Sequence, residues 1–232
     1  MNIALSIRNG LVPIHRAGRP FILAGGLATV AASFIWTPLA WSAGLVTLWV
    51  CYFFRDPERT TPVEDGIVVS PADGRISMIA EVLPPPELDL PRVPMLRVSV
   101  FMSIFDCHVN RMPVEGRIRW IAYTPGKFFN ADLDKASQYN ERNAIAIETP
   151  YGAVAVVQIA GLIARRIVHW AAPGDKVEVG QRFGLIRFGS RLDVFLPAGA
   201  QPRVSVGQTA IAGETVLAEF GSAKGPVISR RG

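Results

Sequence analysis

The sequence predicts a mainly β protein: a sandwich- or barrel-like body of short strands behind an N-terminal hydrophobic helical segment that associates with a membrane. Three observations carry this reading. Residues 20–54 contain no charged side chain. From about residue 61 onward, apolar runs of five to eight residues, many rich in Val and Ile, alternate with Gly, Pro and Asp turns, the pattern of short strands. A V-x-V-G-Q pentapeptide occurs twice in the second half of the chain.

The uncharged run is 35 residues long, against the roughly 20 needed to span a bilayer. Pro38 lies near its middle, and a proline inside a helix removes a hydrogen bond and kinks or breaks it. Two geometries follow: one long, kinked span, or a hairpin of two shorter helices that enters one leaflet and returns. Each half rises only about 26 Å at 1.5 Å per residue, just short of the hydrocarbon core. The hairpin also puts both flanks on one side. Arg8, Arg16 and Arg19 precede the run and Arg55 and Arg59 follow it, and positive flanks favour the cytoplasmic face. A cleaved signal peptide fits poorly, because the run is too long and ends in no small-residue cleavage site.

Strands are expected over 66–70, 96–103, 144–148, 153–159, 182–188, 192–196 and 215–220. A polar helix is expected over 131–142, with Asn130 as N-cap. Residues 222–232 read as a loose basic tail. The chain therefore divides into an N-terminal segment (1–60), a β-rich domain (61–221) and a tail (222–232). Val177-Glu178-Val179-Gly180-Gln181 returns 27 residues later as Val204-Ser205-Val206-Gly207-Gln208. Such turns resemble those of biotinyl/lipoyl carrier domains, and Pro71-Ala72-Asp73-Gly74 resembles the turn that opens such units.

Composition narrows the function classes. The chain has 232 residues, half of them hydrophobic, and a net charge of +5; its mean hydropathy is +0.28 and its pI about 9.6. A basic balance favours an anionic partner. No nucleic-acid motif or Lys/Arg run interleaved with aromatics is present, so the apolar run tilts the choice to anionic lipid. With two cysteines, Cys51 and Cys107, no disulfide framework is expected, and Cys107 reads as buried and inert. The three histidines, His15, His108 and His169, are scattered, so no metal site is expected. His15 reads as interfacial and His169 as structural.

The segment Arg187-Phe188-Gly189-Ser190-Arg191-Leu192-Asp193-Val194-Phe195-Leu196-Pro197 carries the chemistry. Two strand-like runs abut there with only Gly189-Ser190 between them. Glycine permits a bent backbone, and serine sets a hydroxyl beside the preceding carbonyl. That is the local equipment for an N-to-O acyl shift. Attack of Ser190 Oγ on the Gly189 carbonyl gives an ester, β-elimination releases the upstream chain, and loss of ammonia leaves an N-terminal pyruvoyl group. Gly-Ser alone is also a common turn.

The surroundings decide between these readings. In order along the chain stand Phe53-Phe54-Arg55-Asp56-Pro57-Glu58-Arg59, Val69-Ser70-Pro71-Ala72-Asp73-Gly74, Phe101-Met102-Ser103-Ile104-Phe105-Asp106-Cys107-His108-Val109-Asn110-Arg111, Pro125-Gly126-Lys127-Phe128-Phe129-Asn130-Ala131, Asp134-Lys135-Ala136-Ser137, Asn140-Glu141-Arg142 and Ile159-Ala160-Gly161-Leu162-Ile163-Ala164-Arg165-Arg166-Ile167. Together with Phe188-Gly189-Ser190, these resemble the short, prokaryotic form of the pyruvoyl-dependent phosphatidylserine decarboxylases, from about residue 50 to residue 220.

The resemblance implies a carboxy-lyase of phospholipid biosynthesis that turns phosphatidylserine into phosphatidylethanolamine and CO2 at the cell membrane, with its catalytic domain on the cytoplasmic face. It implies autocatalytic cleavage at Gly189–Ser190 into a β chain (1–189) and an α chain (190–232) that stay associated. The covalent pyruvate cofactor comes from Ser190 and forms a Schiff base with the substrate amine. Asp73 and His108 match residues of the processing and decarboxylation chemistry: a histidine to accept the serine proton and a carboxylate to orient it. The longer bacterial forms resemble His-x-x-His here, whereas this chain has Arg111 at the second position. Either His108 serves both steps or Arg111 supplies charge in place of the second histidine. Oligomeric state stays open, a homo-oligomer included.

Lys127-Phe128-Phe129 reads either as a membrane-touching tip or as a buried aromatic pair. Arg165 and Arg166 read either as phosphate partners or as solvated and packing arginines. The main rival to the enzyme is a membrane-tethered, non-enzymatic β-sandwich carrier or adaptor. No lysine in a Met-Lys-Met turn supports it, and self-cleavage distinguishes the two.

Overall fold

Pro20 and Pro38 each stand in the first turn of a helix, where the missing N–H would have had no partner. In the computed structural model, which describes residues 12–126, 140–161, 166–187 and 190–221, Pro38 therefore starts a second helix rather than kinking one long one. Helix α1 runs Arg19–Ser33 and α2 runs Thr37–Phe53. They pack on each other through small residues: a Cβ on Gly25 would lie 2.6 Å from Thr47 Oγ1, and Gly44 faces Thr29. The hydroxyls of Thr29 and Thr47 are capped within their own helices by the carbonyls of Gly25 and Ala43. Backbone bonds from His15 to Phe54 and from Asp56 to Pro13 close the base of the hairpin. No helix among the described residues is long and apolar enough to cross a membrane.

The chain forms two compact units, residues 1–58 and 59–232. The second is mainly β, with three antiparallel sheets among its described residues. The largest has eight strands in the order β13 (Thr209–Ala210), β2 (Gly74–Val82), β3 (Met95–Met102), β11 (Ser190–Leu196), β7 (Gly152–Ala160), β6 (Arg142–Thr149), β5 (Gly116–Thr124) and β9 (Lys176–Val177). A second joins β4 (Val109–Arg111), β10 (Arg182–Arg187) and β8 (Arg166–His169), and a third β1 (Ile67–Val69), β14 (Val216–Phe220) and β12 (Ala200–Pro202).

Side-chain alternation sorts the eight-stranded sheet into two buried faces. Val98, Val100, Val154, Val156, Leu192 and Val194 point to one face. There they meet Phe183, Ile186 and Ile167 of the second sheet and Val68 and Leu217 of the third. Ala155, Val157, Ile159 and Phe195 point to the other and pack with Leu88 and Met95. Each strand expected from an apolar run is present. The structure adds β2, β4, β5, β8, β9, β12 and β13, among which β2 and β5 run nine residues each. Their sequences hide the pattern because one face is wet: in β5, Arg117 and Arg119 are exposed and Ile118 between them is buried.

The helix expected over 131–142 falls largely outside the described residues. Its last residue, Arg142, opens β6 instead, because the apolar 144–147 run needs an extended partner for β7. The tail 222–232, the Lys127–Phe129 segment, Arg165, Arg8 and Gly189 also lie outside them.

The repeated pentapeptide makes the same structure twice. Gln181 and Gln208 each accept, through Oε1, from the N–H three residues earlier (Glu178, 2.9 Å; Ser205, 3.2 Å). Gly180 donates to the Met112 carbonyl and Gly207 to that of Ile76, both at 2.8 Å, and the Gln carbonyls accept from those same two residues. Both glycines have positive φ, 77° and 91°, which explains the invariant glycine in the repeat.

Candidate active site

Strand β11 lies between β3 and β7, with Ser190 opposite Met102 on one side and Ala160 on the other. The alternation that points Leu192 and Val194 into the first core face points Ser190 there as well. The hydroxyl is fully buried, and Oγ has no hydrogen-bond partner among the described residues. Such an orphan hydroxyl costs about 1–3 kcal/mol. Ser99 Oγ on β3 is likewise buried with no hydrogen-bond partner among the described residues.

A buried amide ladder runs beside it. Gln158, opposite Leu192, donates to Asn110 Oδ1 at 2.8 Å and accepts from Asn143 Nδ2 at 3.0 Å. Asn110 in turn points Nδ2 at the sulfur of Met102, 3.8 Å away, the residue opposite Ser190. All three amides are wholly buried. Reading the sequence by motifs singled out none of them individually. The available signal was Gln158 itself, an amide inside an otherwise apolar strand, since buried polar side chains are kept where they are hydrogen-bonded.

His108 precedes β4 and is buried. Its Nδ1 lies 2.9 Å from the Asp106 carbonyl. A carbonyl only accepts, so Nδ1 carries the proton and the neutral ring keeps Nε2 as its basic nitrogen. Strand β4 pairs with β10, Val109 opposite Leu185, five residues before Ser190. The neighbouring Cys107 is buried.

Asp73 sits elsewhere in the hydrogen-bond network. Its Oδ2 accepts from Arg59 at 2.6 Å and its Oδ1 from the Ala212 N–H at 2.8 Å. The structure therefore puts a backbone carbonyl, not Asp73, on the His108 Nδ1. Asp73 does end at the same edge of the sheet as Ser190. The register Arg75↔Phe101 and Ser190↔Met102 places it two strands away, about 10 Å at the usual strand spacing. Gly74 permits that approach, because a Cβ there would lie 2.1 Å from the Phe101 carbonyl oxygen, at a φ of +149°.

At the same edge lies an open cavity of about 640 Å³, lined by Tyr123, Glu141, Ile167, Val168, His169, Arg166 and Arg187. Glu141 is buried and accepts from the Ile167 N–H at 3.3 Å. Burial, followed by the charge of Glu141 and its hydrogen bond, raises the Tyr123 hydroxyl above the usual tyrosine range, with Arg166 opposing. Burial and the neighbouring Arg166 lower Arg187 from its ordinary value.

A family model described as phosphatidylserine decarboxylase matches residues 46–218. The matched span takes in the buried serine, the amide ladder and the cavity, and covers well over half of the sequence. The chain belongs to the phosphatidylserine decarboxylase family and is a decarboxylase.

Proposed function

We propose that this chain cuts its own Gly189–Ser190 bond, keeps residue 190 as a pyruvoyl group, and uses it to decarboxylate phosphatidylserine at a membrane surface. The observation that carries the reading is the Ser190 hydroxyl, wholly buried and without a partner among the described residues, at the first residue of a central strand. The orphan atom fits the group, because processing removes it. Oγ attacks the Gly189 carbonyl, and elimination carries that oxygen away in the new carboxylate of the upstream chain. Uptake of water and release of ammonia then leave the ketone.

In this reading His108 takes the Oγ proton on Nε2, with Nδ1 fixed on the Asp106 carbonyl. Asp73 acts as a positioning residue that ties the 70–74 turn to Arg59 and the Ala212 backbone. The amide ladder fixes the wall beside residue 190, and Val100, Met102 and Leu192 keep bulk water from it. The pyruvoyl group supplies a carbonyl for the substrate amine and a sink for the electrons of the breaking C–CO2 bond. His108 also stands as the candidate to return a proton to the product carbon. After cleavage the α chain (190–232) stays with the β chain (1–189), since β11 remains laddered to β3 and β7.

Intact mass spectrometry tests the proposal. Purified protein is expected to give two fragments breaking at 189/190, the smaller with an N-terminal pyruvoyl, and to release CO2 from phosphatidylserine vesicles. A full-length chain that stays uncut with anionic lipid present would sink the self-processing mechanism and favour the adaptor.

The hairpin supports a membrane location, with the β domain on the cytoplasmic face. Its outer surface is apolar all round: Leu23 and Leu27 on α1 and Leu45 and Leu48 on α2 are about two-thirds exposed, and the tip residues Phe34 and Ile35 more so. Arg16, Arg19 and Arg55 gather at its base. That is the pattern of an insertion into one leaflet with its charges left at the headgroups. Replacing Phe34, Ile35 and Trp36 together by serine removes three large apolar groups worth roughly 1.5–3 kcal/mol each on burial. Co-sedimentation with phosphatidylserine-containing vesicles is expected to weaken by at least about tenfold. Unchanged sedimentation would rule the tip out as the inserting element.

A further inference from the structure

The buried amide ladder has a direction, and it ends beside Ser190. Gln158 accepts from Asn143 Nδ2 on its Oε1, at 3.0 Å, and donates from Nε2 to Asn110 Oδ1, at 2.8 Å. Asn110 Oδ1 is thereby engaged, and the last link of the ladder is the Asn110 NH2. Among the described residues that group meets the Met102 sulfur, 3.8 Å away, and a thioether is a weak acceptor. Turned the other way, the ladder would set an acceptor against the sulfur. The fold makes room for the arrangement. Gly184, opposite Asn110 across the β4–β10 pairing, carries no side chain, and a Cβ there would lie 2.9 Å from Gln158 Nε2. Met102 stands directly opposite Ser190, and both side chains point to the first core face. Side chains so placed have Cβ atoms about 4.5–5.5 Å apart. The Asn110 NH2 is therefore one side chain away from the Ser190 hydroxyl, and methionine is a side chain that adapts readily.

We infer that the Asn110 NH2 is the donor that receives the oxyanion formed during self-cleavage, with Gln158 and Asn143 as positioning residues that aim it. This rests on the proposed processing of Ser190. In the first step Ser190 Oγ bonds to the Gly189 carbonyl carbon, the Oγ proton passes to His108 Nε2, and the π pair of the carbonyl moves onto its oxygen. That oxygen shares its carbon with Oγ, so the charge develops beside the face to which Oγ points. Collapse returns the pair, breaks the C–N bond between residues 189 and 190, and passes the His108 proton to the leaving amine. The product is the ester. A donor already turned to the site, and buried away from water, is worth most while that charge exists. An apolar residue at position 110 would fill the same space and offer the charge nothing.

The test follows cleavage by mass in freshly translated wild type, Asn110→Leu and Gln158→Glu, with each fold checked by the melting of its uncut Ser190→Ala counterpart. Asn110→Leu keeps the volume and deletes the donor, and is expected to slow cleavage about 10²–10³-fold. Gln158→Glu leaves Asn110 in place and changes what it presents. Protonated, the new carboxyl donates to Asn110 Oδ1 as Nε2 does, and the ladder keeps its direction. Ionised, it accepts from both neighbours, so the Asn110 NH2 turns to residue 158 and its oxygen to residue 190. Burial raises a carboxyl toward the neutral range. His108 titrates in both proteins, so the ratio of variant to wild-type rate isolates the ladder. That ratio is expected to fall about tenfold or more from about pH 6 to about pH 9. A packing role would leave it flat, since shape and bond count are kept. Cleavage of Asn110→Leu within about threefold of wild type, or a flat ratio for Gln158→Glu, overturns the proposal. If Asn110→Leu does not fold, the Gln158→Glu ratio alone decides. An uncut wild type overturns the processing reading and this inference together, whereas a cut wild type with unaltered variants overturns this inference alone.

Discussion

Ser190→Ala is expected to leave the protein as one uncut chain with no measurable release of CO2 from phosphatidylserine. The substitution deletes the one atom that starts the proposed cleavage, and the register partners of Ser190, Met102 and Ala160, offer no hydroxyl in its place. Folding should survive it. The hydroxyl is buried and has no partner among the described residues, so its removal discards an unsatisfied group rather than a bond. Melting is therefore expected to stay at or slightly above that of an uncut wild-type precursor. His108→Gln makes the sharper comparison, because it keeps an amide near the Asp106 carbonyl while deleting the basic Nε2. General bases contribute typically about 10²–10⁴-fold, so cleavage followed by mass is expected to slow by roughly that factor. Full cleavage of Ser190→Ala would show that another bond is cut, and an unaltered rate in His108→Gln would remove that histidine from the processing step.

The parts of this molecule legible in its sequence are those where one local pattern suffices. Gly189-Ser190 between two apolar runs located the start of a central strand, with Ser190 its first residue. The 153–159 and 192–196 runs became β7 and β11 because both faces of the central sheet are dry, so near-continuous apolar sequence is what such a strand needs. Strands β2 and β5 were missed for the converse reason, since charged residues on a wet face broke the run. Pro38 had two readings because a proline can interrupt a helix or open one, and the structure takes the second. The site was less legible than the strands. That Asp106 offers its backbone to His108, while the Asp73 side chain turns to Arg59 and Ala212, depends on side-chain directions no spacing encodes. The Arg166–Arg187 opposition is a fact of register between residues distant in sequence, and it becomes visible only once β8 and β10 are paired.

Register also sets up the largest stability effect expected here, at Asp193. Residues 190, 192 and 194 point to one face of β11 and residues 191 and 193 to the other. On that second face the Asp193 carboxylate takes two hydrogen bonds from Arg191, at 2.8 and 2.9 Å, with Arg97 of β3 at 4.0 Å. Arg191 and Asp193 are each about 1% exposed. Asp193→Ala strips two buried guanidiniums of their shared carboxylate, a change that costs about 3–5 kcal/mol. At roughly 2–4 °C per kcal/mol for a domain of this size, melting should fall by about 6–20 °C. The consequence reaches the site, because a one-residue slip of β11 would turn Ser190 onto the wrong face. The ion pair, fixed on Arg97 across the ladder, opposes that slip. Asp193→Ala is accordingly expected to lower the fraction of chains cleaved at 189/190 even well below its melting temperature. The double variant Arg191→Met with Asp193→Leu, which replaces the buried pair by apolar groups of similar size, should recover much of the melting temperature. If Asp193→Ala melts within about 2 °C of wild type and cleaves fully, the pair does not hold the register, and the two flanking ladders alone keep Ser190 in place.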